Sequence, residues 1–513
     1  PRGKEVIESS VLSYRPWKSL QSKRIISEGV CMKVAQKAKK AAWGKVVDLV
    51  VQIVDAGPVR KFLIKKADRK LWRGIVEEDK AGLRPAQELK YAFVRNLLYT
   101  TDKHLRLGTM SKEVFHKMVK VFVRNVFVED ISERDIRREE RTDAVYPCYL
   151  VLSPTALCNL HCPGCYASSS SHTGESLPYS IVSRIIREKK EFWHSRFTVI
   201  SGGEPFLWQS EGKGIIDLAR EHDDNFFMVY TNGTLINPDV SRELADVGNL
   251  TPCISVEGFE EKTDRRRGKG IFKKIMKAFE YLREAGVPFG ISVEATRDNW
   301  DEVTGKEFLK FYFDEQGAFY GWLFQYMPIG RSYTLEEMVT PEQRLEMFQR
   351  NVWAIKEGGY NYIDFWNQGV MTDGCLAAGR NAGYLYIDWN GNVMPCVFIP
   401  YYVDNICEVY EKGGNLNDVL YSTLFREIRR WQSQYAYGKP PMEQDNLILP
   451  CPIRDHHKDL YEILKGHTTI QPADEPAREA KEDPRYHENL ISYDQHLRQV
   501  IDPVWEREYK RYL

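Results

Sequence analysis

The sequence predicts an α/β protein whose centre is a partial (β/α)6 barrel of the TIM type. Six short apolar runs of strand length alternate with amphipathic stretches of helical period, which indicates a parallel sheet with right-handed crossovers. The runs are residues 149–152, 197–201, 226–230, 253–256, 290–293 and 322–326, and the clearest helical segments are residues 181–193, 214–220, 272–285 and 306–314. In such barrels the chemistry gathers at the carboxyl ends of the strands.

Regions of different texture flank the barrel. Residues 1–145 have helical periodicity and no catalytic motif, so we expect a helical N-terminal extension that contacts a membrane or the substrate. The barrel itself is assigned to residues 146–345. Residues 346–467 are richer in Gly, Pro, Asn and Cys and predict a separate metal-binding domain, and residues 468–513 predict a helical C-terminal tail.

The composition is that of an ordinary globular protein, with 43% hydrophobic and 28% charged residues and a formal net charge of zero. A neutral chain offers no electrostatic case for binding nucleic acid. The longest apolar run, residues 46–54, is about half the ~18 residues that a membrane-spanning helix needs, and no signal-peptide pattern is present. We therefore expect a cytoplasmic protein whose closely spaced cysteines bind metal rather than form disulfides, while Cys31, Cys148 and Cys253 are expected to be inert thiols.

The first chemical motif follows the first predicted strand and consists of Cys158, Cys162 and Cys165 in a CxxxCxxC spacing. Three thiolates this close can bind three irons of one [4Fe–4S] cube and leave the fourth iron open. The alternative is a structural zinc site with His161 as the fourth ligand.

The second motif follows the second predicted strand and reads Ser201-Gly202-Gly203-Glu204-Pro205. A Gly-Gly turn lets the backbone approach a ligand closely, and Glu204 can accept a hydrogen bond from an ammonium group. Such a turn is weak by itself. One strand after a three-cysteine loop, it favours the iron–sulfur interpretation.

With these motifs the sequence resembles the radical S-adenosylmethionine (SAM) superfamily, whose Gly-Gly-Glu turn binds the amino group of the cofactor. The resemblance continues in Thr231-Asn232-Gly233, after the third strand, and in the Ile254-Ser255-Val256-Glu257-Gly258 stretch that closes the fourth. It implies a [4Fe–4S] cluster with an open iron site on the three cysteines. It also implies a SAM site made by Tyr166, Gly202, Gly203, Glu204, Pro205, Thr231, Asn232, Ser255, Arg267, Ser292, Glu294 and Met327.

Within that implied site, Ser255 and Arg267 are expected to contact the ribose or carboxylate of SAM, as the matching residues of the family do. Met327 is expected near the adenine. A solvated basic turn is the alternative for residues 265–267. The resemblance further implies that an external donor, flavodoxin or ferredoxin, reduces the cluster. SAM then cleaves to methionine and a 5′-deoxyadenosyl radical, which removes a hydrogen atom from an unactivated C–H bond; the sequence assigns no catalytic acid or base.

A third constellation lies in residues 375–396, where 15 residues separate Cys375 from Gly391 and four separate Gly391 from Cys396. This spacing resembles the opening of the SPASM and twitch extensions, which bind auxiliary iron–sulfur clusters, and a tight turn at residues 388–392 is expected to bring the two cysteines together. The later cysteines of the full SPASM pattern are missing. We therefore expect one auxiliary cluster on Cys375, Cys396 and Cys451, with the fourth ligand left open between Cys407, His456, His457, and substrate or water.

Two substrate classes compete. The first is a lipid or other long apolar chain, because residues 1–75 contain 18 Lys or Arg against 6 Asp or Glu and resemble an interfacial helix on an anionic membrane. In that helix Lys33, Lys37, Lys39, Lys40 and Lys45 would lie beside the apolar face of residues 46–54. The alternative is an N-terminal helical domain that packs on the barrel with its lysines in solvent. The second class is a peptide or protein side chain, as in the maturases of ribosomally made peptides, although no peptide-recognition module is evident in residues 1–145. A non-enzymatic iron–sulfur scaffold would require the Gly-Gly-Glu turn to be accidental.

Overall fold

The computed structural model describes residues 59–79, 82–141 and 144–512. Its strands are β1 (Tyr149–Leu152), β2 (Phe197–Ile200), β3 (Gln209–Ser210), β4 (Lys213–Gly214), β5 (Phe226–Thr231), β6 (Leu250–Val256), β7 (Gly290–Ala295), β8 (Tyr320–Gln325), β9 (Tyr362–Asp364), β10 (Tyr384–Ile387), β11 (Asn392–Met394), β12 (Tyr401–Tyr402), β13 (Asp404–Asn405) and β14 (Gln471–Pro472). Ten of these strands form one sheet in the order β13-β11-β10-β1-β2-β5-β6-β7-β8-β9.

Its α-helices are α1 (Arg60–Trp72), α2 (Arg84–Leu107), α3 (Lys112–Met118), α4 (Ile131–Glu140), α5 (Tyr179–Trp193), α6 (Ile215–Glu221), α7 (Pro238–Val247), α8 (Glu260–Arg267), α9 (Ile271–Glu284), α10 (Trp300–Val303), α11 (Lys306–Leu309), α12 (Pro341–Lys356), α13 (Ile406–Glu411), α14 (Thr423–Tyr435), α15 (His457–Gly466), α16 (Glu475–Glu482) and α17 (Pro484–Glu508). Segments of π-helix continue three of them at Arg73–Glu77, Val119–Asp130 and Lys310–Glu315. Short 3-10 turns lie at Pro205–Leu207, Asn367–Met371, Asp418–Tyr421, Pro441–Glu443 and Lys510–Tyr512.

The six predicted strands are confirmed as β1, β2, β5, β6, β7 and β8, which pair in parallel along the sheet. Their sequences are rich in β-branched and aromatic residues and are buried, as strands covered by helices must be. Helix α7 shows how a connecting helix is delimited. The Asn237 side chain caps its N-terminus by accepting from two backbone N–H groups, Pro238 begins it, and Gly248 ends it at a φ of 63°.

The structure adds two parallel strands to the predicted six: β9 pairs with β8, and β10 pairs with β1 at the opposite end of the row. The third region of the sequence therefore supplies strands to the barrel sheet. Strand β10 turns back into β11 through residues 388–391, so the predicted tight turn is present. It is held by the Asp388 carboxylate, which accepts from two backbone N–H groups, and by Gly391 at a φ of 85°.

Helices α1 to α4 form the described part of the N-terminal region. The lysines of the expected interfacial helix, the apolar residues 46–54 and Cys31 all lie outside the described residues. Within residues 59–79, 82–141 and 144–512, no helix combines the length and apolar character needed to cross a membrane.

Candidate active site

A cavity of about 320 Å³ occupies the interior of the barrel. At the carboxyl ends of the strands it is lined by Cys158, Cys162 and Cys165, and towards the starts of the strands it is lined by aromatic rings. The inward residues alternate along each strand, for example Tyr149 and Val151 on β1, because side chains of a strand point to opposite faces in turn. The cavity thus joins three thiols at one end to an apolar chamber at the other.

The Gly-Gly turn after β2 is packed directly against the cysteine loop. The backbone N–H of Gly203 donates to Thr155 O at 2.9 Å, and that of Glu204 donates to Leu157 O at 2.8 Å. A side chain at Gly203 would place its Cβ 2.1 Å from Leu157 O, so no larger residue fits without moving the backbone. The turn therefore needs glycine because it packs closely on the cysteine loop, and it also lines the cavity.

The loop after β8 holds the cysteine loop from its other side. The Arg331 guanidinium donates to the carbonyl oxygens of Cys162 and Ser169, and its backbone N–H donates to Cys165 O at 3.1 Å. Gly330, at a φ of 71°, approaches so closely that a Cβ would lie 2.4 Å from Tyr166 O. Arg331 was not predicted from the sequence, because side chains that donate to backbone carbonyls leave no motif.

The three thiols suit the cluster that the sequence predicts. The backbone N–H of Leu160 donates to Cys158 Sγ at 3.4 Å, a contact that favours the thiolate. Burial nevertheless raises the pKa of Cys158 to about 11 and also raises that of Cys162, so both thiols must release protons when metal binds. Across the described residues, no three His, Cys, Asp or Glu side chains converge on a single metal ion, whereas a cube takes each thiolate on a different iron. His161 is exposed and lies off the cavity wall, so it is not placed as a fourth zinc ligand.

Glu204 is fully buried and its carboxylate is engaged by the chain. It accepts from the Thr231 hydroxyl at 2.7 Å, from the Asn232 backbone N–H at 2.8 Å and from the Phe206 backbone N–H at 3.2 Å. Burial raises its pKa, and these donors oppose that effect. Glu204 thereby fixes the end of β5 and the turn that follows it, where Thr231 and Asn232 line the cavity.

Two arginines at the end of helix α8 enter the cavity wall as a buried ion-pair network. Glu257 accepts from Arg266 Nη1 at 2.9 Å and from Arg267 Nη2 at 2.5 Å, and Arg266 also pairs with Glu294 at 2.5 Å. The alternative of a solvated basic turn is wrong for these two arginines, since each side chain is less than a fifth exposed. It describes only Arg265, which pairs with Asp298 at the surface.

Most of the predicted SAM-binding residues meet at this cavity. The wall includes Tyr166, Gly202, Gly203, Thr231, Asn232, Ser255, Arg267, Ser292 and Glu294. Three predicted residues do not line it: Glu204, Pro205 and Met327. Arg266 and the aromatic chamber were missed. The chamber had a signal in the sequence, because its members recur at every second position of the strands.

The chamber is formed by apolar and aromatic side chains from five strands and three loops. Its members are Tyr149, Val151, Phe197, Val199, Met228, Tyr230, Trp322, Phe324, Phe365, Leu376, Tyr384, Val397 and Phe398. Phe365, which follows β9, contacts Tyr384 of β10 edge-on at 6.4 Å between ring centroids. Aromatic residues therefore connect the two ends of the open row of strands.

A second cavity, of about 120 Å³, lies beside the chamber and is lined by Cys375, Cys396 and Cys451. The two cavities share a wall of Tyr149, Trp322, Phe365, Leu376, Tyr384 and Phe398. Cys375 and Cys396 each accept from the backbone N–H two residues later at 3.4 Å, the same contact that Cys158 makes. Burial raises the pKa of Cys396 to about 12 and also raises that of Cys375. The three cysteines expected to hold the auxiliary cluster are thus brought together.

The fourth-ligand candidates lie elsewhere. His456 and His457 engage both ring nitrogens within the chain, for example with Leu449 O at 2.7 Å and Ile453 O at 2.8 Å, and neither lines the second cavity. Cys407 is on helix α13 and lies beside Gly391 of the β10–β11 turn; it does not line the second cavity either. Cys148 donates to a backbone carbonyl and Cys253 is buried, as expected of inert thiols.

Parts of the chain are similar to known proteins. Residues 152–305 match the model of the Radical SAM superfamily. The AdoMet-dependent heme synthase of Methanosarcina barkeri is 29% identical over 284 residues, which are 50% of this chain and 78% of that protein. Mycofactocin maturase MftC of Mycolicibacterium smegmatis is 29% identical over 306 residues, 56% of this chain and 74% of that protein. The crystal structure of Streptococcus suis SuiB bound to precursor peptide SuiA aligns with a TM-score of 0.49 at 18% identity, covering 63% of this chain and 74% of SuiB.

The fold and the three-cysteine cavity define an iron–sulfur enzyme that uses SAM. Residues 152–305 form a radical SAM domain, and the chain is similar to maturases that have SPASM/twitch domains with auxiliary clusters. Its cofactors are a [4Fe–4S] cluster with an open iron site, SAM and an auxiliary iron–sulfur cluster.

Proposed function

We propose that this enzyme removes a hydrogen atom from a side chain of a peptide substrate, in the manner of a peptide maturase. The observation that carries the proposal is the aromatic chamber, which lies between two sets of three cysteines and is enclosed by the barrel. The apolar and aromatic wall of this chamber suits a bulky side chain that enters the barrel. The similarity to a protein named as a maturase supports the same choice.

In this proposal Cys158, Cys162 and Cys165 hold the first cluster, and Cys375, Cys396 and Cys451 hold the auxiliary one. When bound, the reduced first cluster and SAM supply the radical that attacks the C–H bond. The chain supplies position and dryness, which is the usual division of work between a protein and such cofactors. Arg331 and the Gly-Gly turn fix the cysteine loop from two sides.

The remaining wall residues have separate tasks. Thr231 and Asn232, held by Glu204, present polar groups near the cysteines, and Arg267 adds positive charge that suits a carboxylate. The phenols of Tyr149 and Tyr230 face the chamber and make no hydrogen bond with the described part of the chain, so they can orient a polar group of the substrate. The surrounding rings exclude water from the reacting C–H bond.

A second candidate substrate is a tetrapyrrole side chain. The similarity to an AdoMet-dependent heme synthase favours it, and a chamber walled by aromatic rings also suits a planar ring system. The lipid hypothesis rests on the basic segment within residues 1–75 and gains no support from these relatives.

One experiment separates the three classes. Reconstituted enzyme, SAM and dithionite are incubated without oxygen with synthetic peptides encoded beside the gene, with an iron porphyrin that has propionate side chains, or with phosphatidylglycerol vesicles. Each substrate is deuterated at its side chains or acyl chains. The proposal predicts deuterium in 5′-deoxyadenosine and a mass change only in the peptide arm, and neither in a Cys162→Ala control. Deuterium transfer from lipid or porphyrin alone would refute the peptide assignment.

A further inference from the structure

One phenol joins the two cavities. Tyr384 lies at the start of β10, lines both cavities and is only 2% exposed. Its hydroxyl oxygen is 2.9 Å from Cys396 Sγ. On its other side its ring stacks on Tyr149, its register partner on β1, with 4.8 Å between centroids and 12° between planes.

The direction of the hydrogen bond follows from the state of the sulfur. A cysteine that binds iron is a thiolate and has no proton to give. A phenol, with an ordinary pKa near 10, keeps its proton at neutral pH. The Tyr384 hydroxyl is therefore the donor and Cys396 Sγ is the acceptor whenever that cysteine holds metal.

We propose that Tyr384 is a positioning residue that raises the reduction potential of the auxiliary cluster by donating this hydrogen bond. Hydrogen bonds to cluster sulfurs stabilise the more electron-rich, reduced state more than the oxidised state. The stack on Tyr149 holds the Tyr384 ring in place. Because Tyr384 lines both cavities, the auxiliary cluster would lie next to the substrate chamber. This inference rests on the proposed binding of the auxiliary cluster by Cys375, Cys396 and Cys451.

Tyr384 is the side chain whose hydrogen bond to Cys396 Sγ a substitution can remove. A second hydrogen bond to Cys396 Sγ comes from the Phe398 backbone N–H at 3.4 Å, and no side-chain substitution removes it. Tyr149 offers a matched control, because it stacks on the same ring, lines the same cavities and contacts no sulfur through its hydroxyl.

The experiment measures the midpoint potential of the auxiliary cluster by electron paramagnetic resonance during a redox titration. It uses full-length protein with Cys158, Cys162 and Cys165 replaced by Ala, so that all cluster signal comes from the auxiliary site. Tyr384→Phe should lower the equilibrium constant for reduction about tenfold, which is about 59 mV for one electron. Tyr149→Phe should leave it unchanged.

A second variant reverses the sign. With 3-fluorotyrosine at position 384, the phenol is a stronger donor, and the potential should rise. An unchanged potential in Tyr384→Phe with full iron content would overturn the proposal. Loss of iron in that variant alone would also overturn it, because Tyr384 would then be needed for cluster assembly. A parent protein without any iron would instead refute the auxiliary-cluster assignment and the proposal together.

Discussion

The charge network at the end of helix α8 gives the sharpest stability prediction. Glu257 is 2% exposed and accepts hydrogen bonds from Arg266 and Arg267. In Glu257→Gln, Arg266 keeps its pair with Glu294, but Arg267, whose side chain is 15% exposed, loses its counter-charge. Removing one partner of a buried ion pair costs roughly 3–5 kcal/mol. Because Gln keeps the shape and one acceptor oxygen, we expect the lower end, about 3 kcal/mol.

Calorimetry of the apoprotein measures this effect. For a barrel of about 200 residues, each kcal/mol shifts Tm by roughly 2–4 °C, so Glu257→Gln should lower Tm by about 6–12 °C. Arg265 of the same helix provides the control. It pairs with Asp298, which follows β7, where both side chains are more than half exposed, and such surface pairs contribute about 0–1 kcal/mol. Equal Tm shifts in Glu257→Gln and Asp298→Asn would refute the argument that burial makes the difference.

Three further predictions follow from other sites. Arg331→Ala should weaken iron binding by the cysteine loop roughly 10–100-fold, as outer-shell changes do. Arg297→Ala, which loses a similar bond to Met338 O and none to the loop, should leave iron binding unchanged; equal iron contents in the two variants would contradict the role of Arg331. Cys451→Ala should abolish the auxiliary cluster in an iron assay while Cys407→Ala retains it, and the reverse would show that the ligand set is wrong. Burial raises the pKa of Asp494 to about 9. Between about pH 5 and 8 the native state therefore holds a proton that the unfolded chain has released. The free energy of unfolding should fall by up to about 1.4 kcal/mol for each pH unit in this range. Asp494→Asn should remove this pH dependence, so the Tm of the variant relative to the wild type should rise between pH 6 and pH 8. A Tm difference that stays constant would contradict the raised pKa.

The barrel strands were predictable because each is marked by a local pattern. Strands β1, β2, β5 and β7 begin at the predicted residue, since an apolar, β-branched run that follows a polar turn has a clear start. Strands β9 and β10 were not predicted as barrel strands. Each has only three or four residues, and it is the pairing with β8 or β1 that makes them part of the sheet.

The site was predictable where chemistry needs a fixed residue type at a fixed spacing, as in the CxxxCxxC loop and the Gly-Gly turn. It was not predictable where a long-range contact decides the role. Arg331 bonds to carbonyls more than 160 positions away, which any residue type presents. Arg267 was chosen over Arg266 although both reach the cavity, because the spacing cannot tell which of two adjacent helical residues faces inward.

The central claim is that Cys158, Cys162 and Cys165 hold the cluster on which SAM is cleaved. The direct measurement is the yield of 5′-deoxyadenosine from anaerobically reconstituted enzyme, SAM and dithionite. Wild-type protein should form 5′-deoxyadenosine, and Cys162→Ala should form none while keeping its auxiliary-cluster iron. An unchanged yield in Cys162→Ala would contradict the account.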